Sequence, residues 1–348
     1  MHKKRGAPEK VGCRREKESV AARMMLSEKG IALLLVLWIL TILVVIALSF
    51  SFMVRTETHA TFFFKEGMEK QFLAQAGLER AATEMVYRGI YKNRQTVQES
   101  TETIHVDGTP YTGQLGADSY VYAVTDESGK INLNTLTDIS GIILNNLLVN
   151  QGVSKETADT IVDSLLDWRD ADELRRLHGA ESDYYMSLPN PYKAKNADLE
   201  TVEELLMVKG MTPEILYGSG EKTGIFNFLT VYSRIATINV NAAPREVLMA
   251  LPSMSPEKAD QIIALRQTTE IRNLAEVASI VGSSFPLIGP YIGLAESNIY
   301  TVESTGYKAG ERLGFTVKTT MSLEGNGAYR TLYYKSPAGV KAFSQSGK

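Results

Sequence analysis

From Ile31 to Val54 the chain runs through 24 residues without an ionisable side chain, and Arg55 closes the run. At about 1.5 Å per residue a helix of that length spans about 36 Å, enough to cross a hydrocarbon core of about 30 Å. Residues 1–30 carry nine Lys/Arg against four Glu, the charge bias of a segment held on the cytoplasmic side. A secretory leader has a shorter apolar core and a small-residue cleavage site after it. Here Gly30 stands before the apolar run, so a cut between Gly30 and Ile31 removes the charged leader and keeps the whole span. A plain signal anchor is the other reading of this segment. The pair Met24-Met25 offers an alternative start that leaves a leader of six or seven residues.

The order charged leader, glycine, uninterrupted apolar helix resembles the class III leader of type IV pilins and type II secretion pseudopilins. That resemblance implies cleavage after Gly30 by a prepilin peptidase and methylation of Ile31. Pilin-like proteins usually carry Glu at the fifth mature position, which in this chain is Leu35. A carboxylate in hydrocarbon is costly unless paired, and in a filament it meets the amine of the adjoining subunit. A subunit with no neighbour beyond it has no amine to receive. Leu35 therefore suits the filament end, and lacking the acid is the habit of the K subunit, the large minor pseudopilin.

Removing 30 of 348 residues leaves a body far larger than one helix and one sheet require, and the prior is about two domains. With 44% hydrophobic residues most of that body can bury a core. A net charge of −3 gives no global pull toward nucleic acid. The one cysteine, Cys13, lies in the leader, so the mature body is held by packing or by metal rather than by disulfides.

After Arg55 an apolar stripe at helical spacing continues to about Tyr91. The period then changes. Residues 103–106, the turn Asp107-Gly108, and 119–125 read as short strands. Strand signals return at 299–304, 313–323 and 328–335, with Gly-Asn-Gly at 325–327 as a turn. The reading is an α+β fold: a pilin-like long N-terminal helix against an antiparallel sheet, interrupted by a large all-α insertion. The expected divisions are a leader (1–30), a membrane-spanning part (31–54), helix and first strands (55–131), insertion (132–295), last strands (296–335) and a disordered tail (336–348).

The insertion repeats itself. Ile131-Asn132-Leu133-Asn134 returns as Ile238-Asn239-Val240-Asn241, and Ser154-Lys155-Glu156-Thr157-Ala158-Asp159 as Ser255-Pro256-Glu257-Lys258-Ala259-Asp260. The second Asn is expected to cap a helix while the first braces the turn. Residues 199–205 and 273–277 read as a third type of capped helix. This grammar resembles helix-hairpin-helix modules, including those of DNA-uptake proteins. The DNA-binding version presents Gly-x-Gly, but residues 252–256 hold no glycine and the other candidate offers only Gly210. Glu156, Asp159 and Asp163 also repel a duplex. A packing scaffold is the expectation, and a membrane-tethered DNA-binding protein the alternative.

Six carboxylates fall within residues 167–183 around an irregular stretch: Asp167, Asp170, Asp172, Glu173, Glu181 and Asp183. Two readings stay open. Ca²⁺, which takes six to eight oxygens, suits Asp167, Asp170, Asp172, Glu181 and Asp183 with an amide oxygen from Asn190 or Asn196. Alternatively Arg169, Arg175 and Arg176 neutralise a surface loop. Zinc is disfavoured, since His178 is the only nearby soft or borderline ligand. The run Leu165-Leu166-Asp167-Trp168, then Asp170-Ala171-Asp172, Gly179-Ala180-Glu181 and Tyr184-Tyr185 resembles the K subunit closely.

Catalytic patterns are absent: there is no Gly-x-Ser-x-Gly, no phosphate-cradling loop, and no cysteine in the mature body. The absence of these patterns argues against an enzyme, and the resemblance implies a minor pseudopilin of the general secretion pathway protein K family. The resemblance implies partners in the I- and J-type minor pseudopilins, the major pseudopilin and the prepilin peptidase. It implies single-pass anchoring in the inner membrane with the large domain in the periplasm, and no nucleic acid.

Overall fold

A computed structural model describes residues 12–91, 104–220, 222–324 and 327–342. The expected turn residues 325–326, Thr103 and the end of the tail beyond Ala342 lie outside the described residues. The chain forms two compact units, Met1–Gly67 and Met68–Lys348, and the long helix α1 (Gly12–Tyr91) contributes to both. In the first unit the apolar side chains from Ile31 to Val54 are all exposed, and among the described residues one helix is long and apolar enough to cross a membrane.

In the second unit α1 lies on a five-stranded antiparallel sheet: β1 (Asp107–Leu115), β2 (Asp118–Asp126), β3 (Ile299–Tyr307), β4 (Leu313–Leu323) and β5 (Tyr329–Ala342), in that spatial order. Small residues let the helix approach: a Cβ on Gly306 would stand 2.2 Å from the Lys70 carbonyl oxygen. Ala74, Leu78, Ala81 and Met85 pack there against Tyr122, Val124, Val302, Val317 and Met321. Each large apolar side chain so buried contributes about 1.5–3 kcal/mol.

Several expectations are corrected here. Asp107-Gly108 is not a turn but the start of β1, with a register shift before Pro110, and residues 104–106 are not strand. A strand holding Pro110 and Gly113 is tolerated because β1 is at the sheet edge. At the other edge β5 continues through Pro337 to Ala342, so the tail does not begin at 336.

Strands β2 and β3 are direct neighbours, with Asp126 opposite Tyr300, 174 positions further along the chain. The insertion therefore leaves and re-enters the sheet at one end. Its core is distinct from that of the sheet, built on Leu144, Leu147, Ile161, Leu165, Val247, Leu248 and Ile262. It nonetheless belongs to the same compact unit, and its Ala242 packs into the sheet core.

Two helix pairs organise the insertion: α2 (Gly141–Asn150) with α3 (Lys155–Arg169), and the shorter α4 (Arg245–Met249) with α5 (Pro256–Thr268). Ser154 caps α3 by accepting from the Thr157 N–H, and Ser255 caps α5 by accepting from Lys258. Four residues after each cap stand Ala158 and Ala259, and seven after it Ile161 and Ile262, all fully buried. In the Ile-Asn-x-Asn turns the first Asn accepts from the N–H two residues on, at 3.0 Å in both copies. The second Asn caps nothing. Asn134 bonds both backbone groups of Leu199, and Asn241 both of Ile271, so each ties its turn to a distant segment. The third helix type is also uneven: 202–207 is a 3-10 turn without a side-chain cap, whereas 274–281 has a full capping box from Asn273 and Glu276.

Candidate functional site

The acidic loop starts where α3 stops. Arg169 turns back from the last residue of that helix and donates to the Leu133, Asn134 and Leu136 carbonyls at 2.6, 2.8 and 3.0 Å. Asp170 closes the helix with its N–H on the Leu166 carbonyl. Trp168 is buried edge-on against Tyr185, centroids 5.1 Å apart, and Tyr185 stacks on Tyr192. This aromatic floor fixes the loop from below. The Asn196 N–H, held at positive φ, donates to the Trp168 carbonyl at 2.9 Å and closes it from the far side.

Three of the six proposed ligands are brought together. Carboxylate oxygens of Asp170, Asp172 and Glu181 lie within 4.8 Å of one another. The other three stand elsewhere. Asp167 is fully buried, with its carboxylate taken by the Arg176 guanidinium at 2.7 Å and its backbone N–H. A Cβ on Gly179 would stand 1.9 Å from Asp167 Oδ2, so the loop closes tightly over this acid. Asp183 is exposed with one oxygen on the Tyr184 N–H, and Asn190 is exposed.

The arginines divide in a way the sequence does not show. Arg169 serves carbonyls rather than acids, while Arg176 bridges Asp167, Asp170 and Asp138 at 2.7, 2.6 and 2.8 Å. Burial opposes the Arg176 charge, but hydrogen bonds to Asp138, Asp170 and Asp167 more than offset it and raise its pKa. Asp138 escapes sequence reasoning because it lies outside the acidic run. Even so, Arg176 does not satisfy the group. Asp170 Oδ1, both Glu181 oxygens and Asn196 Oδ1 are buried with no hydrogen-bond partner among the described residues. Glu181 is 2% exposed. Burial, then the charges of Asp167, Asp170, Glu173 and Asp172, push its carboxyl up to about 7. Orphaned acceptors beside clustered carboxylates are the donor set of a hard cation. Asp170, Asp172 and Glu181 are the residues that would hold such an ion.

The hairpins are also redrawn. Three turns share one form: Gly152, Gly210 and Ser253 each adopt positive φ two residues before a capping Ser154, Thr212 or Ser255. Gly152 is a hairpin glycine that the spacing argument missed; the signal was the Gly-Val-Ser-Lys-Glu order that matches Ser-Met-Ser-Pro-Glu. Each turn offers one left-handed position rather than a Gly-x-Gly pair.

Residues 129–217 and 238–286 each match a family described as type II secretion system (T2SS), protein K. In these two stretches the chain is similar to protein K of the type II secretion system. Type II secretion system protein K of Pectobacterium carotovorum subsp. carotovorum is 30% identical over 200 residues, 54% of this chain and 60% of that protein. Type II secretion system protein K of Pseudomonas aeruginosa is 27% identical over 201 residues, 56% of this chain and 57% of that one. The chain thus spans about three fifths of the length of these protein K relatives. A chain of the crystal structure of the GspK-GspI-GspJ complex from enterotoxigenic Escherichia coli shares the fold, with a TM-score of 0.51 and 18% identity. The match covers 80% of this chain and all of that one. The protein K matches take in both Ile-Asn-x-Asn turns and the acidic loop.

Proposed function

We propose that this chain is a minor pseudopilin at the tip of a type II secretion pseudopilus, with a structural and initiating role in protein export across the outer membrane. The observation that carries this reading is Leu35: in a chain similar to protein K, the fifth residue after Gly30 is an apolar side chain, 56% exposed on the helix. An acid there would need a neighbour's amine, and a terminal subunit has none to receive. On this reading a prepilin peptidase cuts after Gly30 and Ile31 becomes a methylated N-terminus. The helix from Ile31 anchors the chain in the inner membrane, and the second unit works in the periplasm. The fold neighbour was solved as a GspK-GspI-GspJ complex, which supports I- and J-type minor pseudopilins as partners, with the major pseudopilin below them. The helix-hairpin-helix-like repeats act as a packing scaffold, and Ca²⁺ at Asp170, Asp172 and Glu181 fastens the loop where no disulfide is available.

The test is co-purification of the full chain with its I- and J-type partners after peptidase processing. A stable complex capped by one copy is the expected result. Recovery of this chain along the filament body, or no association with either partner, overturns the tip assignment.

A further inference from the structure

Beside the acidic loop, but separate from its clustered oxygens, a groove of about 420 Å³ opens between α2, α3 and Leu177. Its floor is apolar, formed by Ile142, Val162 and Leu166, and Leu177 stands at its margin 88% exposed. Ile139, next to the rim residue Asp138, is 77% exposed. Nothing in the fold explains two large aliphatic side chains held out in water, one at the margin of an apolar floor and one next in sequence to its rim.

The polar groups of the groove are acceptors in search of a donor. Asn145 lines it, 4% exposed, giving its Nδ2 to Asp159 at 2.7 Å, while its Oδ1 has no partner among the described residues. Asp163 accepts only the His178 N–H, at 3.0 Å, and has no cation partner among the described residues. The cations present are already committed, Lys155 to Asp159 and Arg176 to its three carboxylates. In the groove's lining three acids, Asp138, Asp159 and Asp163, stand against these two cations, and Arg176 is shared with Asp167 and Asp170 outside the lining.

We propose that this groove takes a lysine or arginine side chain presented by a protein partner. The aliphatic stem of such a side chain covers Ile142, Val162, Leu166 and Leu177, and its head donates to Asn145 Oδ1 and Asp163. A free divalent ion does not suit the groove, because one uncommitted carboxylate and one amide oxygen are too few ligands. A free amine does not use Leu177 and Ile139, which extend the apolar contact beyond the width of one side chain. The inference is independent of the calcium reading, since Asn145, Asp163 and Leu177 are not among the proposed ligands of that site.

The experiment uses the full chain in detergent and two labelled, capped peptides, acetyl-Leu-Lys-Leu-amide and its norleucine counterpart, read by fluorescence anisotropy. The lysine peptide is expected to bind saturably and the norleucine peptide more weakly. Asp163→Asn and Leu177→Ser are each expected to weaken the lysine peptide about three- to fivefold with an unchanged thermal midpoint. Equal binding of the two peptides, affinity indifferent to both substitutions, or no saturable binding of the lysine peptide overturns the proposal.

Discussion

Arg266 does for the second Ile-Asn-x-Asn turn what Arg169 does for the first. Arg169 donates to the Leu133, Asn134 and Leu136 carbonyls, and Arg266 to Val240 and Ala243 at 2.9 and 2.7 Å. Arg266 stands eleven residues after its cap Ser255 and Arg169 fifteen after Ser154, one helical turn later. The two halves of the insertion thus share a clamp although α3 and α5 differ in length.

The clamp gives the first prediction. Arg266 is 4% exposed and also meets the buried Asp107 carboxylate at 3.2 Å. Arg266→Ala strands that carboxylate and two carbonyls, so it should cost about 3–5 kcal/mol. Urea unfolding of the full chain in detergent measures it. A loss under 1 kcal/mol, on the order of a surface change, counts against the clamp.

Calcium should raise the thermal midpoint and chelator should lower it. A cation that binds only the folded state adds about 2.7 kcal/mol at a hundredfold excess over its Kd. Asp170→Ala should abolish most of the response, and the exposed Glu257→Ala should leave it intact. A melting curve blind to both calcium and chelator returns the loop to Arg176 alone.

Glu181 supplies a pH signature for the cation-free protein. Its folded pKa, about 7, lies above the ordinary glutamate value. The folded state therefore holds a proton that the unfolded state has released, and stability falls as pH rises from about 4.5 to 7. Saturating calcium should flatten that slope, as should Glu181→Gln. Unfolding curves at a series of pH values decide it, and a slope unchanged in the Gln variant removes Glu181 as its source.

Processing should depend on Gly30. Gly30→Leu should block the peptidase and leave the charged leader attached, visible as a larger intact mass. A mature N-terminus at any residue other than Ile31 would remove the basis for the role assigned to Leu35.

Duplex DNA should bind weakly or not at all near physiological salt. The three hairpins each offer one left-handed position, and Glu156, Asp159 and Asp163 follow the first of them. Sub-micromolar, salt-sensitive binding in a gel shift would revive the DNA-uptake alternative.

How much of this was legible in the sequence varies by range of interaction. The span from Ile31 and the alternation in β2 and β4 are local patterns, and local patterns read directly. Strand β1 was misread because Pro110 and Gly113 break the alternation, which an edge position tolerates. The Asn134–Leu199 and Asn241–Ile271 bonds join segments 65 and 30 residues apart, so no window over the sequence sees them. The density of acids at 167–183 was visible, but whether an acid meets a cation or its neighbours depends on where Arg176 points. That arginine chose Asp167 and the remote Asp138.

The direct pairing of β2 with β3 has a consequence for the order of folding. Bringing Asp126 opposite Tyr300 closes a loop of more than 170 residues, and for a flexible chain that costs about 4–5 kcal/mol before any constant term. The helices of the insertion form from near neighbours, so they collapse early and shorten the loop that must close. Asp126 then gathers both ends at once, accepting from Ser128 at 3.0 Å and from Ser297 at 3.3 Å. The sheet is thus expected to assemble last, and a fault in the insertion should leave α1 uncovered.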